Sequence, residues 1–177
     1  MPICAARHGK SRNRIVPPDG ATKQVSVGSP VKTEDSLFAD STLPPGLIQA
    51  YVDTHYKVPG LDLTLVIDQR NPALDQAHRQ HQVDCSAFIT ACNPYSAGLS
   101  TAENKRRQRN LALELRSRNR SFTDGIGQHP SNDWAGGPSF LDFGLMLEEA
   151  KTLCTKLEQN GFVRSGADPV PNLILLK

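Results

Sequence analysis

Apolar residues are scarce in this sequence. They make up 38% of the 177 residues, against roughly 45–50% in globular domains on a count that also includes glycine. We therefore expect part of the chain to lie outside any hydrophobic core. No apolar run reaches the length of about 18 residues that indicates a transmembrane helix, so no membrane span is predicted.

The sequence also lacks an excess of charge of either sign. Its 20 Lys and Arg nearly balance its 18 Asp and Glu, which leaves a net charge of +2. This balance argues against extensive coating by nucleic acid, although it is compatible with a local basic patch. The N-terminus has no continuous apolar segment of the kind found in secretory signals, and we expect a cytoplasmic protein.

Cysteine is rare and has no metal-binding spacing. The four cysteines are Cys4, Cys85, Cys92 and Cys154, with no C-x-x-C pair and no Cys/His pattern among them. We expect small buried or tail thiols in a reducing compartment.

The Gly125-x-Gly127 motif precedes a loop and not a helix, so it is not a dinucleotide-binding fingerprint. The sequence therefore predicts no metal and no cofactor.

Two regions of the chain differ in the periodicity of their apolar residues. Residues 1–46 carry repeated Pro and Gly turns without a sustained apolar period, which predicts a disordered N-terminal tail. Residues 47–177 show periodic apolar patterns, and we predict that they form a single α+β domain. Its first part is a hairpin around Pro59-Gly60, followed by a helix over residues 73–82.

From Cys85 onward the predicted elements alternate in a recognisable order. They are a strand at 85–91, a helix at 101–118, strands at 121–124 and 139–145, a helix at 147–159, and strands at 162–163 and 172–176. The first six correspond to the ferredoxin-like βαββαβ series. Right-handed crossovers would place both helices on one face of the sheet. We predict a two-layer sandwich with this core, the N-terminal hairpin plus helix, and an extra C-terminal strand.

The segment between Cys85 and Arg120 carries the most information about a site. The strand ends at Asn93-Pro94, and a polar loop then leads to Ser100-Thr101-Ala102-Glu103. This sequence matches the S/T-x-x-E capping box at a helix N-terminus. The exposed amides at such a helix start can bind an anionic group, so we expect a ligand near Asn93, Ser96 and Ser100.

The helix after this cap has a divided inward face. Leu111 and Leu115 define that face at 100° per residue, but Asn104, Arg107 and Gln108 lie on it or on its border. Unpaired buried polar groups cost about 1–3 kcal/mol each, so these side chains need partners. A ligand could provide them, with Arg107 binding a carboxylate or phosphate. The loop of Asn93 and Ser96 could also provide them, and both interpretations are open.

A second group of candidates follows that helix. Gly125 and Gly127 either let the backbone approach a ligand or form a bulge. Trp134 either stacks on a ligand or plugs the sheet, and Ser139 begins the next strand. His129 is the nearest histidine, but it has no carboxylate placed beside it in the sequence. The serines also lack the context of a hydrolase nucleophile, so no reaction is predicted.

Three groups of residues match one known family in the same order. The first is Ser86 to Ala91, Asn93-Pro94, Ser96, Leu99-Ser100, Glu103-Asn104 and Arg107-Gln108, the second is Gly125, Gly127, Trp134 and Pro138-Ser139-Phe140, and the third is Gln159-Asn160. On these residues the chain from about Ala50 onward resembles the bacterial domain-of-unknown-function family 3293. Cys92 and Gly137 depart from it, standing where the family has an aromatic residue and an acid. Because the family has no established activity, the resemblance implies a shared site without identifying its ligand.

Two functions are compatible with these patterns. The first is binding, with or without catalysis, of a small polar or anionic ligand. Its candidate residues are Asn93, Ser96, Ser100, Asn104, Arg107, Gln108, Gly125, Gly127, Trp134 and Ser139. The second is interaction with nucleic acid or an acidic protein through the basic face between Lys105 and Arg120. The second has less support, because aromatic residues that could stack on bases amount to only 6%.

Overall fold

The computed structural model describes Phe38, residues 40–131 and residues 136–177. Most of the predicted tail, residues 1–37, lies outside the described residues, as do Cys4 and Trp134. No helix within the described part of the chain has the length and apolar character needed to cross a membrane.

The described residues form four α-helices, of which the first three begin at a local start signal. The helices are α1 (Pro45–Asp53), α2 (Pro72–His81), α3 (Thr101–Ser117) and α4 (Leu147–Lys156). A proline opens both α1 and α2, where its missing N–H costs nothing. The side chains of Asn71 and Ser100 accept hydrogen bonds from Leu74 N and Glu103 N, and so cap α2 and α3.

Seven strands of the described chain form one antiparallel sheet. The strands are β1 (His55–Val58), β2 (Leu63–Leu65), β3 (Ser86–Ile89), β4 (Ser121–Gln128), β5 (Gly137–Phe143), β6 (Gly161–Ser165) and β7 (Asn172–Leu175). Their order across the sheet is β2-β1-β4-β5-β3-β6-β7. Strands β1 and β2 form the predicted N-terminal hairpin, and β7 is the predicted extra strand. The α+β class is therefore confirmed.

Strand β4 is longer than its sequence predicts. The predicted strand ends at residue 124, whereas β4 continues through Gly125 and Gly127 to Gln128. Gly125 pairs with Ser139 and Gly127 pairs with Gly137 in the ladder between β4 and β5. The two glycines thus lie inside a regular strand and not in a turn, because the neighbouring strand satisfies their backbone groups.

Helices cover both faces of the sheet. Leu111 and Leu115 of α3 and Leu153 of α4 pack with Ile89 and Phe140 on one face. On the other face, Leu74 of α2 and Ile48 and Val52 of α1 pack with Phe88, Leu141, Val163 and Leu173. Successive strand residues point to opposite faces, and both sets are apolar here. The structure therefore adds a layer to the predicted two-layer sandwich.

The residues just before the predicted domain boundary contact the domain. Phe38 packs against the face that α1 and α2 cover, and Ser41 Oγ donates a hydrogen bond to Lys177 O at 2.6 Å. Helix α1 begins at Pro45, one residue before the predicted tail ends at Gly46. The boundary at residue 46 stays a prediction, but structured contacts reach back to Phe38.

Candidate functional site

A cavity of about 430 Å³ lies between α1 and one end of the sheet. Its apolar floor includes Phe88, Val163 and Leu173, and α1 covers it with Leu47, Ala50 and Tyr51. Polar side chains at its edge are Thr54, Thr90, Asn93, Ser96, His129, Ser139 and Gln159. An apolar floor with a few polar groups around it is the usual composition of a small-molecule site.

The antiparallel register brings these residues together. The end of β3 meets the starts of both β5 and β6, because Ile89 pairs with Phe140 and Phe88 pairs with Val163. The end of β4 reaches the same edge, where Gly127 pairs with Gly137. The loop after β3 therefore lies beside residues that are more than 30 positions later in the sequence.

The loop after β3 has an unusual backbone. Asn93, Tyr95 and Ser96 have φ angles of 47°, 48° and 62°, in the left-handed region that non-glycine residues seldom adopt. Tyr95 N donates to Glu158 O at 2.6 Å, and Asn93 Oδ1 accepts from Leu99 N at 3.0 Å. Surrounding bonds thus hold a strained loop at the cavity edge, a combination that is common at ligand sites.

Three polar side chains meet at one wall of the cavity. Tyr51 OH lies 3.1 Å from Ser96 Oγ, and Asn160 Nδ2 donates to the same oxygen at 3.0 Å. We call Tyr51, Ser96 and Asn160 the hydroxyl cluster. Tyr56 OH donates to Tyr51 O at 2.7 Å and so holds the end of α1 above the floor. The cluster connects α1, the strained loop and the start of β6.

Asn104 and Gln108 on α3 bind the backbone of the segment after β3. Asn104 Oδ1 accepts from Asn93 N at 2.9 Å, and its Nδ2 donates to Asn93 Oδ1 at 2.8 Å. Gln108 Oε1 accepts from Ala91 N at 3.0 Å, while its buried Nε2 has no partner among the described residues. Both side chains stabilise the segment after β3 by hydrogen bonds, and neither lines the cavity.

Arg107 joins two backbone ends. Its Nε donates to Ala91 O at 2.7 Å, and a terminal nitrogen donates to Leu157 O at 2.8 Å. The same nitrogen lies 3.3 Å from Glu158 Oε2. The guanidinium thus connects the segment after β3 to the C-terminal end of α4. Backbone carbonyl groups of Ala91 and Leu157 thus accept from two of the nitrogens that the sequence interpretation offered to an anion.

Ser100 caps α3 as predicted, but away from the cavity. Ser100 Oγ accepts from Glu103 N at 3.2 Å. The Glu103 carboxylate accepts from Arg106 at 2.6 and 3.0 Å, and this hydrogen bond lowers the pKa of Glu103. Neither Ser100 nor the helix start lines the cavity.

The second group of candidates, Gly125, Gly127, Trp134 and Ser139, also contains both residues that line the cavity and residues that do not. Gly127 and Ser139 line the cavity, and Ser139 Oγ donates to Gly137 O at 3.1 Å. Gly125 lies beneath the floor, where a Cβ atom would overlap the Phe88 ring. Trp134 is outside the described residues. Four of the ten predicted positions, Asn93, Ser96, Gly127 and Ser139, therefore line one cavity.

Several lining residues were not predicted from the sequence. Tyr51, Thr54 and Tyr56 come from α1 and the start of β1, about forty positions before the predicted site, and no motif marks them. Gln159 belongs to the Gln159-Asn160 pair of the family resemblance, which was the one available signal. Its Nε2 donates to Cys92 O at 3.1 Å.

The described lining of the cavity carries no Lys, Arg, Asp or Glu. Burial raises the pKa of the Tyr56 phenol and of the Cys92 thiol, so both are neutral at pH 7. His129 Nδ1 accepts from Ser131 N at 3.2 Å. The described cavity surface is therefore suited to an uncharged molecule.

Metal chemistry has no support in the described chain. No group of three or more His, Cys, Asp or Glu side chains there is placed to hold an ion. Cys85, Cys92 and Cys154 are free and buried, which confirms the expected small buried thiols at these positions. Burial alone raises the pKa of Cys154 to about 12, so its thiol is unreactive.

The basic face of α3 is partly neutralised by neighbouring acids. Arg106 pairs with Glu103, and Arg118 pairs with Glu114, in turns of the same helix. Arg120 lies 2.6 Å from the fully buried carboxylate of Asp142, and this hydrogen bond raises the pKa of the Arg120 guanidinium. Arg120 therefore pairs with a buried carboxylate of the fold.

Comparison with known proteins identifies a family and no characterised relative. No curated protein and no solved structure matches the chain. The family model described as "Protein of unknown function (DUF3293)" matches residues 89–161. This segment runs from the last residue of β3 to the first residue of β6 and contains the strained loop, α3 and the Gln159-Asn160 pair. The predicted resemblance to this family is thereby confirmed for residues 89–161.

Proposed function

We propose that this protein binds a small, uncharged organic molecule in the cavity beneath α1. The observation that carries this proposal is the composition of the cavity: an apolar floor, polar groups at its edge, and no Lys, Arg, Asp or Glu side chain in its described lining. Its volume of about 430 Å³ falls within the usual range of roughly 300–1,000 Å³ for ligand pockets.

Two features make a purely structural role a poor explanation of the cavity. Side chains beside a cavity have fewer packing partners than those in a close-packed core, so selection for stability alone favours a smaller cavity. The left-handed residues Asn93, Tyr95 and Ser96 add a further cost at its edge, of order 1–3 kcal/mol each. Both costs are understandable if the surface serves a ligand.

The proposal keeps one part of the predicted site and reassigns another. Asn93, Ser96, Gly127 and Ser139 remain candidate ligand-binding residues. Ser100, Asn104, Arg107, Gln108 and Gly125 become supports for the loop, the helix or the floor, because their bonding groups and neighbours belong to the fold. Of the polar or anionic ligands that the sequence suggests, the uncharged polar class fits this lining better.

Binding without a reaction is the simpler proposal. His129 is the one histidine in the described lining, and its Nδ1 already accepts a bond from Ser131. The described lining offers no carboxylate to orient it, as a general base would require. Interaction of the basic face with nucleic acid or an acidic protein is less supported, because Arg106 and Arg120 are engaged in ion pairs.

The same observations support two coarser proposals. The order β4-β5-β3-β6 puts β5 between β3 and β4, and β3 between β5 and β6. We propose that these strands, with α3 and α4, form a ferredoxin-like core, since this interleaving defines the split βαβ arrangement. The free buried cysteines support a reducing, cytoplasmic location.

A titration followed by protein NMR tests the binding proposal. Indole, an uncharged molecule with an apolar body, should shift the amide resonances of Phe88, Val163 and Leu173. Ala50→Trp, which fills the mouth of the cavity from the exposed side of α1, should abolish these shifts. Gln49→Trp on the same helix is the matched control, because Gln49 is exposed and does not line the cavity.

Inorganic phosphate distinguishes the anionic alternative. If the cavity binds an uncharged molecule as proposed, phosphate should leave the amide resonances of the cavity residues unchanged. Phosphate-induced shifts at Ser100, Thr101 and Ala102 in place of indole binding would contradict the proposal and restore the anion site at the start of α3.

A further inference from the structure

We infer that the ligand carries a carbonyl-type oxygen that accepts a hydrogen bond from the hydroxyl cluster of Tyr51, Ser96 and Asn160. This inference rests on the proposed function and specifies the chemical class of its ligand. It follows from counting the hydroxyl hydrogens of the cluster.

The cluster holds one more donor hydrogen than it can use. Asn160 Nδ2 donates to Ser96 Oγ at 3.0 Å, so that contact uses no hydroxyl hydrogen. Tyr51 OH and Ser96 Oγ lie 3.1 Å apart and share one hydrogen bond, in which either atom can be the donor. Each hydroxyl carries one hydrogen, and the shared bond uses only one of the two. Neither oxygen makes a further hydrogen bond to a described residue.

The unused hydrogen is available to the cavity. Tyr51 and Ser96 both line the cavity, whereas Asn160 lies behind them and is 3% exposed. Asn160 is held in place because its own backbone oxygen accepts from Leu176 N at 2.8 Å. Ser96 Oγ thus accepts from the buried amide. The remaining hydroxyl hydrogen lies on exposed Ser96 or on half-buried Tyr51, where it is free to donate to a ligand in the cavity.

The matching ligand group is an acceptor without a charge. A carbonyl oxygen accepts hydrogen bonds and donates none, which complements a site with one spare donor. A carboxylate or phosphate would meet no Lys or Arg side chain in the described lining and so would gain no ion pair there. A ketone, amide or ester with an apolar body against Phe88, Val163 and Leu173 satisfies both conditions.

Two probes of similar size and shape isolate the carbonyl. Acetophenone and ethylbenzene differ by a carbonyl group in place of a methylene, and each is titrated into the full chain by protein NMR. The measured quantity is the ratio of their affinities, compared between the wild-type protein and its variants. Differences in probe hydrophobicity cancel in this comparison.

The variants follow from the hydrogen count. In Tyr51→Phe or Ser96→Ala alone, the remaining hydroxyl keeps its hydrogen for the ligand, so the affinity ratio should stay within about twofold of the wild-type value. The double variant has no hydroxyl, and its ratio should move against acetophenone by about 3- to 10-fold, as for the loss of one neutral hydrogen bond. Tyr95→Phe is the control, because Tyr95 adjoins Ser96 but does not line the cavity. Its ratio should equal that of the wild-type protein.

A second measurement does not depend on the variants folding. The infrared carbonyl band of acetophenone bound to the wild-type protein should lie at a lower frequency than in an alkane solvent, because a donated hydrogen bond weakens the C=O bond. An unshifted band, or an unchanged ratio in the double variant, overturns the carbonyl assignment while indole binding still supports the proposed function. If neither probe nor indole binds, the proposed function itself fails.

Discussion

At the scale of single residues, the packing of Phe88 explains a glycine in mid-strand. Gly125 pairs with Ser139 in a regular ladder and has no unusual backbone conformation to explain it. A Cβ at this position would lie 2.7 Å from Phe88 Cζ, and closer still to Cε2. Phe88 forms the cavity floor and packs edge-on against Tyr56, with ring centroids 5.3 Å apart. The missing side chain of Gly125 therefore provides the space for this aromatic pair.

We predict that Gly125→Ala lowers the free energy of unfolding by about 1–3 kcal/mol, as expected for an overpacked core. Gly127→Ala is the matched control two residues along the same strand. There a Cβ would lie 3.4 Å from Thr54 Cγ2, an ordinary contact, so the change should stay within about 0.5 kcal/mol. Urea unfolding midpoints compare the two variants, and equal midpoints would show that Phe88 does not need this space.

At the scale of elements, the inward face of α3 is apolar in its C-terminal half and polar in its N-terminal half, and the two halves have different structural roles. Leu111 and Leu115 are 1% and 0% exposed and pack on the sheet. Asn104, Arg107 and Gln108 instead bond to the segment after β3. The polar half thus fixes the segment after β3 by hydrogen bonds, and Arg107 also connects it to the end of α4.

We predict that Arg107→Met destabilises the protein by about 1–3 kcal/mol, because removing the guanidinium leaves the carbonyl of buried Ala91 without its donor. Arg106→Met is the control. It removes only the exposed pair with Glu103, and exposed ion pairs contribute little to stability, so its unfolding curve should stay close to that of the wild-type protein. Urea unfolding curves measure both. An Arg107→Met protein of wild-type stability that had lost affinity for phosphate would instead support the anion site.

At the scale of the whole molecule, the cavity depends on how α1 is attached to the rest of the chain. No residue of α1 is fully buried. The helix is held by its apolar contacts, by the hydroxyl cluster, and by the bond from Tyr56 to its Tyr51 carbonyl. Phe38 and Ser41 extend this attachment before the helix begins. Helix α1, which covers the site, therefore depends on these partly exposed contacts for its position.

We predict that deleting residues 1–37 leaves the stability of the domain unchanged within about 0.5 kcal/mol, because this segment has no sustained apolar period. Deleting residues 1–41 should cost about 1–3 kcal/mol more, because it also removes the Phe38 packing and the Ser41 bond to Lys177. Urea unfolding compares the two truncations. A large loss of stability in the shorter deletion would mean that residues 1–37 belong to the fold.

The sequence by itself determined the elements and their inward faces. The caps at Asn71 and Ser100 and the apolar period of Leu111 and Leu115 depend on residues within one or two turns. Local signals of this kind need no tertiary contact, which is why α2, α3, α4 and most strands lie close to their predicted positions, whereas α1 was not predicted. The α+β class followed from their order.

Only the tertiary structure decided which polar side chains face the site. Arg107 and Ser96 looked alike as candidates, yet Arg107 bonds to Leu157 across 50 positions and Ser96 meets Tyr51 and Asn160 across 45 and 64. A sequence period specifies which side of an element is buried, but not which group it meets there. That choice depends on strand register and on the placement of α1, because a buried donor bonds to whatever acceptor the folded chain brings within reach.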